Sequence, residues 1–275
     1  MTVPLLKRLP RTIEKRWWQV MASLEPLDPS YSVAQARFRR APEAELLAVY
    51  RYENASSLGA ICAELGATAG IHLWALDRTH PQLERWTEGQ GAGLRSDLLN
   101  VLFERVCPGF KGYVLLCDDD FQFTRGGIRS FLATAAAASL DIAQPAHDRY
   151  SRWSHWLTVA RRSSLARLTS FVEIGPLAAI SPEWRDHVLP LPENSGMGWG
   201  LDLAWGDLRH LGCRLGIVDC TLIRHLYPAG GSGAYDVQAG ISDMAALYAE
   251  RGGYETALRT LATWWPWQRR PSWTP

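Results

Sequence analysis

Short apolar runs alternate with helix-spaced stretches from about residue 46 to about residue 225. Leu46–Tyr52 is apolar, β-branched and aromatic, with Pro42 just upstream, and predicts a strand. Ala55–Leu65 has helical spacing and stops at Gly66, a natural C-terminal cap. Ile71–Asp77 predicts the next strand, and Ser96–Val106 a helix with Leu98, Leu99, Leu102 and Val106 on one side, ended by Pro108. Tyr113–Cys117 is apolar without interruption, as a strand buried on both faces requires. Gly127–Leu140 predicts an alanine-rich helix, and Ile142–Gln144 opens another strand. The alternation predicts an α/β fold: a Rossmann-like α/β/α sandwich around a mostly parallel central sheet.

The second half changes character. Ser170–Ile180 reads as two extended pieces interrupted at Gly175-Pro176, and Pro182 opens a helix. Leu201–Leu211 predicts a helix capped by Gly212, and Arg214–Leu226 an extended run with Asp219 and His225 at its ends. Gly230–Gly233 predicts a mobile segment, and Gln238–Thr263 a mainly helical one broken around Gly252-Gly253. Without a repeat or a clear linker, the expected organisation is one domain at 46–230 with an N-terminal extension (1–45) and a helical, Trp-rich C-terminal extension (231–275) packing on it.

Composition narrows the function classes. Lys+Arg 29 against Asp+Glu 28 in 275 residues leaves a net charge of +1, which argues against a dedicated nucleic-acid binder. No apolar run approaches the roughly 20 residues of a spanning helix, and Met1–Arg16 lacks the apolar core of a secretory signal. The five cysteines (Cys62, Cys107, Cys117, Cys213, Cys220) are scattered and form no Cys-x-x-Cys pair, so a cytoplasmic setting is expected. Tryptophan is abundant at 13 residues. Near the N-terminus Ile13, Trp17, Val20, Met21 and Leu24 recur at helical spacing beside Lys7, Arg8, Arg11, Lys15 and Arg16. Trp264, Trp265, Trp267 and Trp273 stand with Arg269 and Arg270 at the other end. Such ends either touch a membrane surface peripherally, at its inner face, or pack onto the domain.

Three sequence features could carry chemistry. Asp118-Asp119-Asp120 follows the buried strand directly. Crowded carboxylates repel one another unless a divalent cation reverses the penalty, and strand carboxyl ends are where ligands bind in open α/β sheets. The alternative is a solvated acidic turn. In Gly196-Met197-Gly198-Trp199-Gly200-Leu201-Asp202, glycines let backbone and indole approach a ligand, and Asp202 falls in the first helical turn. There it is either functional or simply favoured by the helix dipole. His225 is either structural or an imidazole ligand completing an Asp-rich metal site.

Tyr113–Phe123 (Tyr-Val-Leu-Leu-Cys-Asp-Asp-Asp-Phe-Gln-Phe) resembles the Asp-x-Asp segment of GT-A-fold glycosyltransferases. Within that group the chain resembles a poorly characterised family known only as a domain of unknown function. The similarity continues through Ser154–Arg162, Phe171–Ile174, Gly198–Asp202, Gly216–Asp219 and His225, in the family's order. Gly198-Trp199-Gly200 also resembles a segment of galactosyltransferase-type enzymes, and Ser96–Val101 is similar to their nucleotide-binding region.

The resemblance implies a nucleotide-sugar donor, a UDP-sugar, with Mn²⁺ or Mg²⁺, and a carbohydrate or glycolipid acceptor. It places Asp118 and Asp120 at the ribose and metal, with His225 completing the metal site. Arg51, Asp77, Arg95 and Asp119 join Asp118 around the nucleotide sugar, and Trp199 and Gly200 touch acceptor or sugar. Asp202 would face the acceptor hydroxyl as base of an inverting transfer, with Glu173 a second carboxylate in the same space. Leu226–Gly230 departs from the family pattern. The competing expectations are a metal-dependent nucleotidyltransferase and a non-catalytic carbohydrate-binding or scaffold protein.

Overall fold

The structure, a computed structural model, describes residues 28–66, 70–106, 108–193, 196, 198–227, 237–250 and 258–274. The amphipathic N-terminal pattern, Gly230–Gly233, Gly252-Gly253, Met197 and Cys107 lie outside these residues. The central sheet has ten strands. They are β1 (Ala44–Tyr50), β2 (Gly70–Ala75), β3 (Thr87–Gln90), β4 (Tyr113–Cys117), β5 (Phe121–Arg125), β6 (Ile142–His147), β7 (Ala166–Thr169), β8 (Leu177–Ile180), β9 (Leu215–His225) and β10 (Thr260–Trp264). Their order is β10-β7-β9-β6-β8-β4-β1-β2-β3, with β5 paired to β9. β5, β7 and β8 run against the other seven, so the sheet is mixed but mostly parallel.

Alternation along the strands builds two cores. Leu46, Ala48 and Tyr50 of β1 and Leu115 and Cys117 of β4 face one side, against α2 (Ala55–Leu65) and α4 (Ile128–Ala137). Leu47, Val49, Val114 and Leu116 face the other, against α3 (Arg95–Phe103) and α6 (Leu201–Asp207). This is why β1 and β4 are apolar at successive positions rather than alternating. Helix α1 (Ser30–Arg37) also packs on the β9 side, while α5 (Arg185–Val188) is a single turn where Pro182 predicts a helix start. Four of the cysteines, Cys62, Cys117, Cys213 and Cys220, are buried free thiols. No helix among the described residues is long and apolar enough to cross a membrane.

The C-terminal segment departs from the helical expectation. Val237–Glu250 is helix α7, but Thr260–Trp264 is the edge strand β10, antiparallel to β7. Its Leu, Ala and Trp satisfy helical spacing by composition, yet the pairing partner decides the outcome. Trp264 is buried, and the Trp273 indole N–H donates to the Ala138 carbonyl at 2.8 Å, so both pack on the domain. Trp267 stacks on Trp265 and stays 71% exposed.

Strand β9 does most to position the site. Its first half pairs with β7, and its last residues pair with β5, putting His225 opposite Phe121. The register against β6 jumps from Val218 to Leu222 at this change of partner. Asp219 sits at the jump, fully buried, and its carboxylate accepts hydrogen bonds from Arg167 Nε (2.9 Å), Arg167 Nη2 (2.9 Å) and the Arg161 N–H (2.9 Å). Breaking a buried pair by deleting one partner costs about 3–5 kcal/mol. Arg167→Ala is therefore expected to lower the unfolding free energy by about that amount in urea titration; a loss under ~1 kcal/mol would show that the clamp does not hold the bend.

Candidate active site

A cleft of about 600 Å³ opens at the carboxyl ends of β1, β4 and β9. The acidic triplet enters it, and each of its three carboxylates takes a different partner. The Asp118 N–H still pairs with the Pro176 carbonyl at 2.7 Å, so the strand pleat carries on past Cys117 and sends successive side chains apart. Asp118 accepts a 2.7 Å hydrogen bond from Arg95 Nε at the start of α3. Gly175 lacks the Cβ that would stand 2.5 Å from Asp118 Oδ2. Asp119 turns the other way and accepts the Arg51 N–H at 2.6 Å, pinning the end of β1. Asp120 Oδ1 meets His225 Nε2 at 2.9 Å, across the β5–β9 ladder.

Electrostatics follow from this arrangement. Burial pushes the Asp118 carboxyl upward against the Arg95 charge, and pushes Asp119 up to about 7 against its bond to the Arg51 N–H. Burial alone would depress His225, but its hydrogen bond to Asp120 and the charges of Asp120 and Asp118 carry it above the ordinary histidine value.

The glycine-rich loop and α6 also line the cleft. Gly198 and Gly200 have φ of +73° and +92°, a left-handed conformation that explains glycine at both positions. A Cβ on Gly200 would also press on Leu247 and Met244 of α7, which closes this side. Trp199, Met244 and Tyr248 line the cleft. Asp202, in the first turn of α6, accepts the Leu203 N–H at 2.9 Å; burial outweighs that bond and lifts its carboxyl to about 7, with the nearby Glu173 charge contributing.

Most of the residues predicted from sequence come together here. Arg51, Arg95, Asp118, Asp119, Asp120, Glu173, Trp199, Gly200, Asp202 and His225 all line the cleft. Asp77 does not; it accepts the Tyr52 and Arg78 N–H groups in an exposed turn beside Arg51. Glu173 is heavily committed: Oε2 lies 2.9 Å from His147 Nε2, and Oε1 accepts the His155 N–H at 3.2 Å. Arg152, His155, Met244 and Tyr248 were not anticipated as lining residues. Only the Ser154–Arg162 resemblance pointed near His155, since the others are brought in by tertiary packing alone.

Among the described residues no group of three or more His, Cys, Asp or Glu side chains converges as a metal cage. Asp120 and His225 remain as a pair. Adjacent ligands of an octahedral cation with bonds of about 2.0–2.1 Å stand about 3 Å apart. The 2.9 Å separation of Asp120 Oδ1 and His225 Nε2 fits that spacing, leaving the other positions for ligand oxygens or water.

The mostly parallel central sheet with helices on both faces is a GT-A-like fold. Two solved structures share this fold. GalNAc-T7, crystallised with UDP, GalNAc and Mn²⁺, aligns with a TM-score of 0.54 and 12% identity over 76% of this chain and 48% of its own length. Residues 1–349 of Staphylococcus aureus TarS, in complex with UDP-GlcNAc, align with a TM-score of 0.51 and 11% identity over 78% of this chain and 68% of theirs. The chain thus spans about half the length of GalNAc-T7. No family model and no curated protein matches the sequence.

Proposed function

We propose that this protein is a nucleotide-sugar glycosyltransferase that moves a sugar from a UDP-sugar to an acceptor hydroxyl with inversion, and that it belongs with the poorly characterised GT-A-like family its motifs resemble. One observation carries the reading: a single cleft holds both the Asp120–His225 pair and Asp202, whose carboxyl burial lifts to about 7. The two structural neighbours bind UDP or a UDP-sugar, and one was crystallised with Mn²⁺.

Asp120 and His225 would hold Mn²⁺ or Mg²⁺, which would supply charge stabilisation for the departing diphosphate. Arg95 keeps Asp118 in place and brings positive charge to the same wall. Arg51 and the Asp119-pinned end of β1 border the nucleotide. Asp202 takes the acceptor's proton, and a carboxyl near pH 7 suits a general base. Because both Glu173 oxygens already accept hydrogen bonds, Glu173 shapes this wall and Asp202 moves the proton. Trp199 offers an indole to a sugar's C–H face. The acceptor is a carbohydrate or a glycolipid, presented in the cytoplasm or at the membrane's inner face.

Calorimetric titration of UDP, with and without Mn²⁺, tests the reading. Metal-dependent binding together with slow sugar release from UDP-GlcNAc or UDP-GalNAc is expected. No nucleotide binding in either condition would favour a carbohydrate-binding scaffold instead. Peripheral membrane contact has its own test. Wild-type protein is expected to co-sediment with anionic vesicles more than protein lacking residues 1–27 and carrying Trp267→Ala; equal sedimentation would remove the membrane role.

A further inference from the structure

His147, the last residue of β6, is fully buried and is not needed by any step above. Its Nε2 lies 2.9 Å from Glu173 Oε2 and its Nδ1 2.6 Å from Ser151 Oγ. Ser151 Oγ in turn accepts the His225 backbone N–H at 2.8 Å. The His147 ring thus bridges Glu173 and Ser151, and the Ser151 oxygen takes the His225 N–H.

The neighbouring residue completes the connection to the cation pair. The Arg152 N–H donates to the His225 carbonyl at 3.4 Å, and His225 Nδ1 lies 3.3 Å from the Arg152 carbonyl. The Nδ1 edge thus lies on the Arg152 carbonyl while Nε2 faces Asp120. The Ser151-Arg152 backbone therefore sets the position of His225, and His147 sets Ser151.

We propose that His147 is a positioning residue: clamped between Glu173 and Ser151, it fixes the backbone that aims His225 at the cation and the Glu173 wall beside Asp202. This rests on the nucleotide-sugar reading of the cleft. Two amides divide the roles of the ring, because an asparagine amide reaches about as far as Nδ1 and a glutamine amide about as far as Nε2. His147→Asn keeps the Ser151 contact and loses Glu173; His147→Gln does the reverse. Ser151→Ala is a near-isosteric control that removes the hydroxyl without reshaping the core.

The measurements are Mn²⁺ half-saturation of UDP binding by calorimetry, and kcat for UDP-GlcNAc hydrolysis. Partners that orient metal ligands are worth about 10–100-fold in metal affinity. His147→Gln and Ser151→Ala are expected to raise the half-saturating Mn²⁺ concentration by about that factor. His147→Asn is expected to keep the wild-type value while lowering kcat. A residue that only packs the core would lower the melting temperature in all three variants and leave Mn²⁺ half-saturation unmoved, and that result overturns the assignment. If the wild-type protein fails to bind UDP at saturating Mn²⁺, the transferase reading itself falls and this assignment with it. Normal wild-type binding with unshifted variants removes the role of His147 alone.

Discussion

Asp202→Asn is expected to lower sugar transfer by about 10²–10⁴-fold, the usual contribution of a positioned general base, while Mn²⁺-dependent UDP affinity stays at the wild-type value. The asparagine is nearly isosteric and can still accept the Leu203 N–H, so the cleft keeps its shape. The wild-type rate should rise with pH through an apparent value near 7, set by Asp202, and the residual rate of the variant should lose that limb. The same substitution has a stability signature of opposite sign. Burial raises Asp202 from an ordinary carboxyl value to about 7 in the folded chain. Its contribution to stability is therefore fully present below about pH 4 and is lost as pH rises through 7. At pH 8 the fold carries an ionised, poorly solvated carboxylate that asparagine removes. The variant should melt higher than wild type at pH 8, by about 2–4 °C per kcal/mol relieved, and the gain should vanish below pH 4. A variant that keeps its turnover, or melts lower at pH 8, would remove Asp202 from the base role.

The second large effect falls on the Asp120–His225 pair. Asp120→Ala and His225→Ala are each expected to weaken Mn²⁺-dependent UDP binding by more than ~100-fold, because even the outer partners of metal ligands cost about 10–100-fold. Without Mn²⁺ the variants and wild type should bind UDP equally weakly. Asp118→Asn should cost much less, since the Asp118 carboxylate is held by Arg95 at 2.7 Å whereas Asp120 meets His225. Calorimetry of the three variants against wild type orders these effects. An Asp118 effect larger than that of Asp120 would show that the triplet, rather than the Asp120–His225 pair, receives the cation.

How far the chain could be read from its letters depended on whether local pattern or distant packing decided each feature. Tyr113–Cys117 was legible because a strand buried on both faces has no polar position to hide. The Gly66 and Gly212 helix stops were legible because both adopt positive φ, where glycine carries no penalty. Thr87–Gln90 was not, since Thr-Glu-Gly-Gln has no apolar face and pairs as an edge strand through its backbone alone. β5 was hidden behind the acidic triplet, although its pairing with β9 is what joins Asp120 to His225.

The site divides along the same line. Sequence order pointed to Asp120, Asp202 and His225, and these line one cleft. It could not show that the pleat of β4 separates Asp118 from Asp119, since adjacency along the chain suggests convergence where strand geometry enforces the reverse. Nor could it single out His147, whose partners lie 26 and 4 residues away and whose meaning comes only from the contacts it makes.

Anomalous diffraction from crystals grown with Mn²⁺ and UDP tests the central claim most directly. The account predicts one strong manganese peak within coordination distance of both Asp120 Oδ1 and His225 Nε2, with the diphosphate on its open side and Asp202 facing it across the cleft. A manganese peak elsewhere, or UDP bound away from this pair with no metal between them, would contradict it.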